Sequence, residues 1–382
     1  MGDLEYMLRT VRDINLKNKR VLIRVDFNVP IDDKGNVTDD FRIRSSLPTI
    51  NYCLEQGASQ VVLMSHLDPW KENPASDKYP RDSRLEMDKV AETLSDLIGE
   101  KVSKVDDCVD IVLPDTRIVL LENLRFYKGE KKDDLGFAQK LARHGDVYVN
   151  DAFGTSHRKH ASVHAITRYF EEPCAGLLVE KEVRYFQPVM SDPDRPFYVI
   201  LGGIKVSSKI DVIESLAQKA DKLFIGGRMA LAFADSELIG QEERDKAKKL
   251  LEKYSDKIVL PLDYVAEDKQ AYDLDNLPHD KNLYDIGPKT IEDWKDKMSN
   301  AQTIVANVIL GYVELNPFDN GTKEMIGFMA DSKAVTIIGG GDSVSAVMKS
   351  GRYHDIDHVS TGGGASLELL EGKKLPGLEV LN

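Results

Sequence analysis

Side chains suited to binding anions are concentrated in the first half of the sequence, several of them directly after a run of apolar residues. A guanidinium group can bind a phosphate or carboxylate through two parallel hydrogen bonds, so this composition favours a small polyanion as ligand. For any single arginine, a solvated charge at a helix end remains the alternative interpretation. Asp26, Asn28, His66 and Arg125 follow apolar runs, and Arg42, Arg44, His157, Arg158 and His160 add a cluster of cationic side chains.

Glycine clusters take the equivalent positions after apolar runs in the second half. Glycine lets backbone N–H groups approach phosphate oxygens closely, and a helix that follows favours the anion, so the pattern predicts a nucleotide site. Asp342 follows one cluster and is suited to a magnesium ion that bridges phosphates. Each glycine pair alone is also typical of a tight turn. The clusters are Gly202-Gly203, Gly226-Gly227, Gly339-Gly340-Gly341 and Gly362-Gly363-Gly364.

The elements that must position these residues are short apolar, β-branched runs spaced widely enough for a helix between them. Such runs predict parallel strands buried on both faces, and therefore a doubly wound α/β unit in each half. Ligands bind at the carboxyl ends of the strands in sheets of this kind. The runs lie at residues 21–23, 61–64, 118–121 and 147–149, and at 198–201, 223–225, 258–260, 303–305 and 335–338.

Length and composition narrow the class of protein. A chain of 382 residues exceeds what one core usually supports, which predicts two domains. Three widely spaced cysteines fit a reducing compartment, and no apolar run approaches the ~20 residues of a membrane span. A net charge of −13 argues against nucleic acid as a partner. We therefore expect a cytoplasmic globular protein with neither a nucleic-acid nor a membrane partner.

Seven longer motifs occur along the chain: RVDFNVP at Arg24–Pro30, LPTI at Leu47–Ile50, LLENLRFY at Leu120–Tyr127, VNDAFGTSHRKHAS at Val149–Ser162, DIGPKT at Asp285–Thr290, IGGGDS at Ile338–Ser343 and STGGGASLELLEG at Ser360–Gly372. With these motifs the chain resembles the phosphoglycerate kinase family over essentially its whole length. The resemblance implies two doubly wound, Rossmann-like domains joined by a hinge helix. The implied boundaries are 1–172, a hinge at 173–190, 191–365, and a segment at 366–382 that returns to the first domain.

The resemblance also implies a function, phosphoryl transfer between 1,3-bisphosphoglycerate and ADP by a glycolytic monomer that uses Mg-ATP or Mg-ADP. Arg42, Lys205 and Lys209 would stabilise the transferring group, and Asp342 would hold the metal. The implied ligands of 3-phosphoglycerate are Asp26, Asn28, Arg42, His66, Arg125, His157, Arg158, His160 and Gly362 to Gly364. The implied nucleotide ligands are Gly202, Gly203, Lys209, Gly226, Gly227, Asn307, Glu314, Gly341, Asp342 and Ser343.

Several residues depart from the family pattern at these sites. Asp68-Pro69-Trp70 replace Gly-Arg-Pro, which removes a substrate-binding arginine and adds a carboxylate. Ile204 and Arg228 replace small residues, and Val308 to Val313 replace a loop of small residues after Asn307. We expect weaker substrate binding and a narrowed nucleotide pocket.

Three functions remain open at this stage. The first is the kinase reaction with impaired or lost activity. The second is a non-catalytic binding protein that uses an apolar cleft for a small molecule or for a protein, with another copy of the chain among the candidate partners. The third is new chemistry, with Lys205 in apolar surroundings as a base or, alternatively, as an ordinary solvated lysine. The apolar side chains expected to line the altered cleft are Trp70, Ile204, Val308, Ile309, Leu310 and Tyr312.

Overall fold

The computed structural model of the protein describes residues 6–68 and 82–382. The chain divides into two units. The N-terminal unit runs to Arg184 and includes Lys374–Asn382, and the C-terminal unit comprises Tyr185–Lys373. The first division falls within one long helix, which therefore contributes residues to both units.

The strands supply the frame of each unit, and every predicted apolar run forms all or most of one of them. Most residues in these runs are β-branched or otherwise apolar and buried, as expected for strands covered on both faces, whereas Val335 is 39% exposed. The strands are β1 (Arg20–Val25), β2 (Gln60–Met64), β3 (Val102–Lys104), β4 (Ile118–Leu120), β5 (Val147–Asp151), β6 (Cys174–Ala175), β7 (Phe197–Leu201), β8 (Lys222–Ile225), β9 (Ile258–Val259), β10 (Asp263–Ala266), β11 (Ala271–Asp273), β12 (Leu283–Ile286), β13 (Thr303–Asn307), β14 (Val335–Ile338) and β15 (His358–Val359).

Helices connect the strands, and local sequence sets several of their ends. Asp134 caps one helix by accepting a hydrogen bond from the Phe137 amide, and Pro288 takes the first position of another, where no amide donor is needed. The helices are α1 (Phe41–Glu55), α2 (Asp88–Ile98), α3 (Lys128–Lys131), α4 (Leu135–Ala142), α5 (Leu177–Ser191), α6 (Ile210–Lys219), α7 (Ala230–Phe233), α8 (Gln241–Tyr254), α9 (Pro288–Lys297), α10 (Asn320–Asp331), α11 (Gly341–Ser350), α12 (Gly364–Leu370) and α13 (Pro376–Glu379).

Each unit contains a six-stranded parallel sheet. The strand order is β3-β4-β2-β1-β5-β6 in the N-terminal unit and β15-β14-β13-β7-β8-β9 in the C-terminal unit. In both sheets the order reverses direction beside the first strand of the unit, as in doubly wound folds. The predicted fold class is therefore confirmed. The C-terminal unit also has a small antiparallel sheet, β11-β10-β12. It was not predicted, because its strands are only three or four residues long and each contains an aspartate.

The C-terminal residues of the chain belong to different units before and after the boundary at Lys373. Within the C-terminal unit, the Ser215 hydroxyl donates a 2.7 Å hydrogen bond to the Leu370 carbonyl. Within the N-terminal unit, the Leu375 amide donates to the Tyr6 hydroxyl at 2.8 Å, and the Gly377 amide donates to the Ser156 carbonyl. The segment that joins the N-terminal unit thus begins at Lys374, later than residue 366, because α12 belongs to the C-terminal unit. Among the described helices, none has the length and apolarity that crossing a membrane requires.

Candidate active-site residues in the two units

The anion-binding residues of the N-terminal unit lie after its central strands. Asp26 and Asn28 follow β1, and Arg42 lies in the first turn of α1. One guanidinium nitrogen of Arg42 donates to the Asp26 carboxylate at 3.0 Å and to the Asn28 carbonyl at 3.2 Å. This arrangement holds Arg42 in place at the end of β1 while leaving its other nitrogens available for a ligand.

His66, which follows β2, has its proton position set by a buried arginine. Arg24 is fully buried in β1 and donates to His66 Nδ1 at 3.0 Å. Burial and the neighbouring arginines hold the pKa of His66 well below its usual value. The ring is therefore neutral with its proton on Nε2, which makes Nε2 a hydrogen-bond donor.

The other two histidines of the set are also neutral near pH 7. Burial and nearby arginines lower the pKa of His157 to about 4 and that of His160 to about 3. The positive charge of the site therefore comes from arginines, namely Arg42, Arg125 and the exposed Arg158.

Three buried polar atoms in this cluster have no hydrogen-bond partner among the residues that the structure describes. They are Arg125 Nε, His157 Nδ1 and His160 Nδ1. A buried polar atom without a partner is costly unless a ligand or water satisfies it. These atoms therefore support the prediction that the cluster binds an anion.

Asp68 lies within the same cluster. Its carboxylate accepts a short hydrogen bond from Arg125 Nη1, and its Oδ2 lies 3.6 Å from His66 Nε2. Its backbone amide donates to Asn28 Oδ1 at 3.0 Å. The residue predicted to oppose an anion thus contacts two of the predicted anion ligands directly. Pro69 and Trp70, the other two departures in this stretch, lie outside the described residues.

The sequence analysis missed the buried residues that support the cluster. Arg24 Nε donates to the Ser162 hydroxyl at 2.9 Å, and that hydroxyl donates to the Glu130 carboxylate at 2.6 Å. Arg24 and Glu130 are both fully buried, so their opposite charges offset one another. An arginine inside an otherwise apolar strand was the available signal, since such a charge needs a buried partner.

Lys209 is half-buried at the edge of the C-terminal sheet. Its ammonium group donates to the Gly202 carbonyl at 2.7 Å and to Asn307 Oδ1 at 2.9 Å. Partial burial lowers the pKa of Lys209 to about 8, an effect that the nearby Asp342 carboxylate opposes. Lys205 is exposed. Of the two alternatives for Lys205, the structure therefore favours an ordinary solvated lysine over one in apolar surroundings.

The glycine pairs of the C-terminal unit are packed closely against the chain itself. A Cβ atom on Gly202 would lie 1.9 Å from the Ile309 carbonyl oxygen, and one on Gly226 would lie 2.4 Å from the Leu310 side chain. Gly227 has a φ of +66° and lies against the backbone of Gly203. These glycines are thus required by backbone packing, whatever they contribute to ligand binding.

The apolar loop after Asn307 points mainly inward. Val308 is 0% exposed and Leu310 1%, whereas Ile309 is half-buried. The expectation that Val308 and Leu310 present an apolar surface is wrong, because both side chains complete the core beside the glycine pairs. Of the described members of the predicted apolar set, Ile204 and Tyr312 are well exposed, at 72% and 47%. Arg228 is also exposed, so its side chain does not fill the space beside Gly227.

The third glycine cluster, Gly339 to Gly341, leads into α11, and this segment is hydrogen-bonded to Asn307 and Val308. Asn307 Nδ2 donates to the Gly339 carbonyl at 3.2 Å, and the Val308 amide donates to the Ser343 hydroxyl at 3.0 Å. Gly341 and Asp342 open α11 and are exposed. The N-terminus of α11 can therefore receive an anion beside Lys209.

The remaining predicted residues lie at loop positions. Glu314 is exposed after the apolar loop. Gly362 is buried and donates its amide to the Ser360 hydroxyl at 3.0 Å, whereas Gly364, the first residue of α12, is exposed. Gly363 has a φ of +51°, a conformation that favours glycine.

A magnesium site would have to use Asp342 with few other protein ligands. Within residues 6–68 and 82–382, no group of three or more histidine, cysteine, aspartate or glutamate side chains is arranged to hold a metal ion. Magnesium in nucleotide sites commonly takes one or two carboxylates together with phosphate oxygens. The exposed carboxylate of Asp342 therefore fits a metal that arrives with the nucleotide.

Two parallel α/β units, one with an arginine-rich cluster and one with a glycine-rich strand edge, define a two-domain α/β class of protein. Comparison with known proteins identifies the family. A family model described as phosphoglycerate kinase matches residues 11–373. The phosphoglycerate kinases of Aquifex aeolicus (strain VF5) and Thermosipho africanus (strain TCF52B) are each 44% identical to this chain. These matches cover 98% and 97% of this chain and 98% and 96% of the respective relatives.

Solved structures agree with this result. Phosphoglycerate kinase from Coxiella burnetii superimposes with a TM-score of 0.85 at 34% identity. The enzyme from Pyrococcus horikoshii OT3 does so with a TM-score of 0.84 at 30% identity. Each match covers 98% of both chains. The chain belongs to the phosphoglycerate kinase family.

Proposed function

We propose that this protein catalyses reversible phosphoryl transfer between 1,3-bisphosphoglycerate and ADP, as a cytoplasmic, monomeric enzyme of glycolysis. The observation that carries the proposal is the arginine cluster of the N-terminal unit, with Arg125 Nε and His160 Nδ1 buried and unpartnered among the described residues. Family membership supports the same reaction, because its relatives bear that name.

The N-terminal unit would bind the phosphoglycerate. Arg42 and Arg125 supply charge-assisted hydrogen bonds to phosphate or carboxylate oxygens. His66 donates from Nε2 as a neutral ring, so it orients an oxygen without adding charge. The predicted ligands Asp26 and Asn28 hold Arg42 in position, and His157, Arg158 and His160 extend the donor set.

The C-terminal unit would bind the nucleotide. Lys209 and the N-terminus of α11 favour phosphate oxygens, and Asp342 would hold magnesium with the nucleotide. The metal, when bound, would neutralise phosphate charge. Lys205, an exposed lysine after β7, would stabilise the charge of the transferring group, and the exposed Glu314 would bind the ribose hydroxyls. Such transfer depends chiefly on positioning and charge neutralisation.

We further propose that this protein binds phosphoglycerate more weakly than relatives that keep the usual arginine in the stretch containing Asp68. One charge-assisted hydrogen bond is worth roughly 1.5–3 kcal/mol. Losing that arginine would therefore lower affinity by at least about tenfold.

The direct test is calorimetric titration of the protein with Mg-ADP and with 3-phosphoglycerate, together with an assay of ATP formation from 1,3-bisphosphoglycerate and ADP. Arg42→Met should abolish 3-phosphoglycerate binding while leaving Mg-ADP binding intact. Arg44→Met is the matched control, because Arg44 lies on the same helix but pairs with Asp40 at 2.8 Å. Absence of saturable binding of both ligands, with the protein folded, would refute the proposed reaction.

A further inference from the structure

Asp68 occupies donors that an anionic ligand would otherwise use. Its carboxylate accepts from Arg125 Nη1, and its Oδ2 faces His66 Nε2 at 3.6 Å. The Asp68 amide is anchored to Asn28 Oδ1 at 3.0 Å, which fixes the residue beside the end of β1. The carboxylate therefore lies where a phosphate or carboxylate oxygen would meet the same two side chains.

The protonation of His66 strengthens this interpretation. Because Arg24 donates to Nδ1, the single proton of the neutral ring is on Nε2, the atom that faces Asp68. Arg125 retains a buried Nε without a partner in the described part of the chain, even though its Nη1 is paired with Asp68. Asp68 thus satisfies only part of a donor set that is large enough for a polyanion.

The carboxylate of Asp68 changes the net charge of the anion cluster substantially. With the histidines neutral, the cations are Arg42, Arg125 and Arg158, and the anions facing them are Asp26 and Asp68. The buried pair of Arg24 and Glu130 adds no net charge. The site carries a net charge of +1 with Asp68 and would carry +2 without it.

We propose that Asp68 is a tethered competitor in the anion site, which a phosphorylated carboxylic acid must displace from Arg125 and His66 in order to bind. The proposal rests on the proposed function for the identity of that substrate and deepens it by naming the residue that sets its affinity. A displaceable carboxylate lowers the affinity for every anion. It also favours ligands with enough charge to replace it, because each competes for the same donors.

The experiment measures the affinity of inorganic sulfate and of 3-phosphoglycerate by calorimetry for the wild type, Asp68→Asn and Asp68→Glu. Asparagine keeps the size of the side chain but removes its charge, so both dissociation constants should fall at least tenfold. Glutamate keeps the charge and should leave them within a factor of a few. In steady-state assays KM for 3-phosphoglycerate should fall in Asp68→Asn more than kcat changes.

Asp110→Asn is the matched control. Asp110 also pairs with cations of the N-terminal unit, Lys140 and Arg143, but it is not part of the anion cluster. It has a φ of +55°, which asparagine tolerates, so the fold should be unaffected. Asp110→Asn should leave both dissociation constants unchanged, and equal tightening by it would overturn the site-specific explanation.

The outcomes separate this inference from the proposed reaction. Unchanged or weaker sulfate binding in Asp68→Asn would overturn the inference even if the enzyme is active, since Asp68 would then be a structural clamp on Arg125. Tighter sulfate binding in an inactive protein would support the inference and count against the reaction. If Asp68→Asn fails to fold, Asp68→Gly provides the same comparison, because it also removes the carboxylate.

Discussion

The two candidate sites are built from different parts of the chain. In the N-terminal unit the functional groups are charged side chains that are paired with one another and supported by the buried Arg24 and Glu130. In the C-terminal unit they are mainly backbone groups at glycines, together with the half-buried ammonium group of Lys209. A site made of side chains can change its affinity through one residue, such as Asp68. A site made of closely packed backbone cannot change without affecting the fold.

The largest effect expected from this comparison is the loss of stability in Arg24→Met. The substitution removes a fully buried cation and leaves the buried carboxylate of Glu130 without a compensating charge. Breaking a buried pair in this way costs roughly 3–5 kcal/mol. Urea unfolding followed by circular dichroism should show the loss, and adding Glu130→Gln should recover part of it.

Arg12→Met is the control for that variant. Arg12 pairs with Glu180 at 3.3 Å in the same unit, but its side chain is 55% exposed. A surface ion pair contributes at most about 1 kcal/mol. Equal losses in the two variants would mean that the buried support described for the cluster has no special energetic role.

A smaller loss of stability, in the C-terminal unit, is expected for Gly202→Ala. The added Cβ would lie 1.9 Å from the Ile309 carbonyl oxygen, so the apolar loop must shift. Overpacking of this kind costs about 1–3 kcal/mol. Thermal unfolding in a Trp70→Phe background would report it through Trp294, a fully buried side chain of the C-terminal unit.

Gly341→Ala is the control that tests whether close packing explains the loss of stability expected for Gly202→Ala. A Cβ atom on Gly341 would have no heavy atom within 4 Å among the described residues, leaving aside its chain neighbours and the backbone of its own helix. The fold should therefore tolerate it within about 0.5 kcal/mol. If Gly202→Ala proves as stable as Gly341→Ala, the packing role assigned to Gly202 is incorrect.

The last expected effect concerns ligand affinity and is a pH dependence of nucleotide binding. Burial lowers the pKa of Lys209 to about 8, so the free protein loses this positive charge as the pH rises through that value. ADP phosphates favour the charged form, so affinity should fall about tenfold between pH 7 and pH 9. Lys209→Arg, which stays charged, should remove this dependence; calorimetry at several pH values in both proteins provides the measurement. An equal fall in Lys209→Arg would assign the titration to another group.

Much of the fold could be predicted from local patterns. The β-branched runs became the strands of two parallel sheets because continuous apolar runs need burial on both faces. Charged and polar residues after β1 and β2, including Asp26 and His66, lie at strand ends as expected. The short antiparallel sheet was missed, since its strands of three or four residues, each with an aspartate, contain no comparable apolar run.

The sequence by itself determined the fold class, the family resemblance and the positions of groups at strand ends, because these follow from periodicity and motifs within a few residues. Only the tertiary structure decided that Lys209 is half-buried and Lys205 exposed, and that Val308 and Leu310 point inward. It also decided that Asp68 pairs with Arg125, which is 57 residues away in the chain. Burial and ion pairing depend on which distant segments meet, and local residue patterns do not specify those contacts.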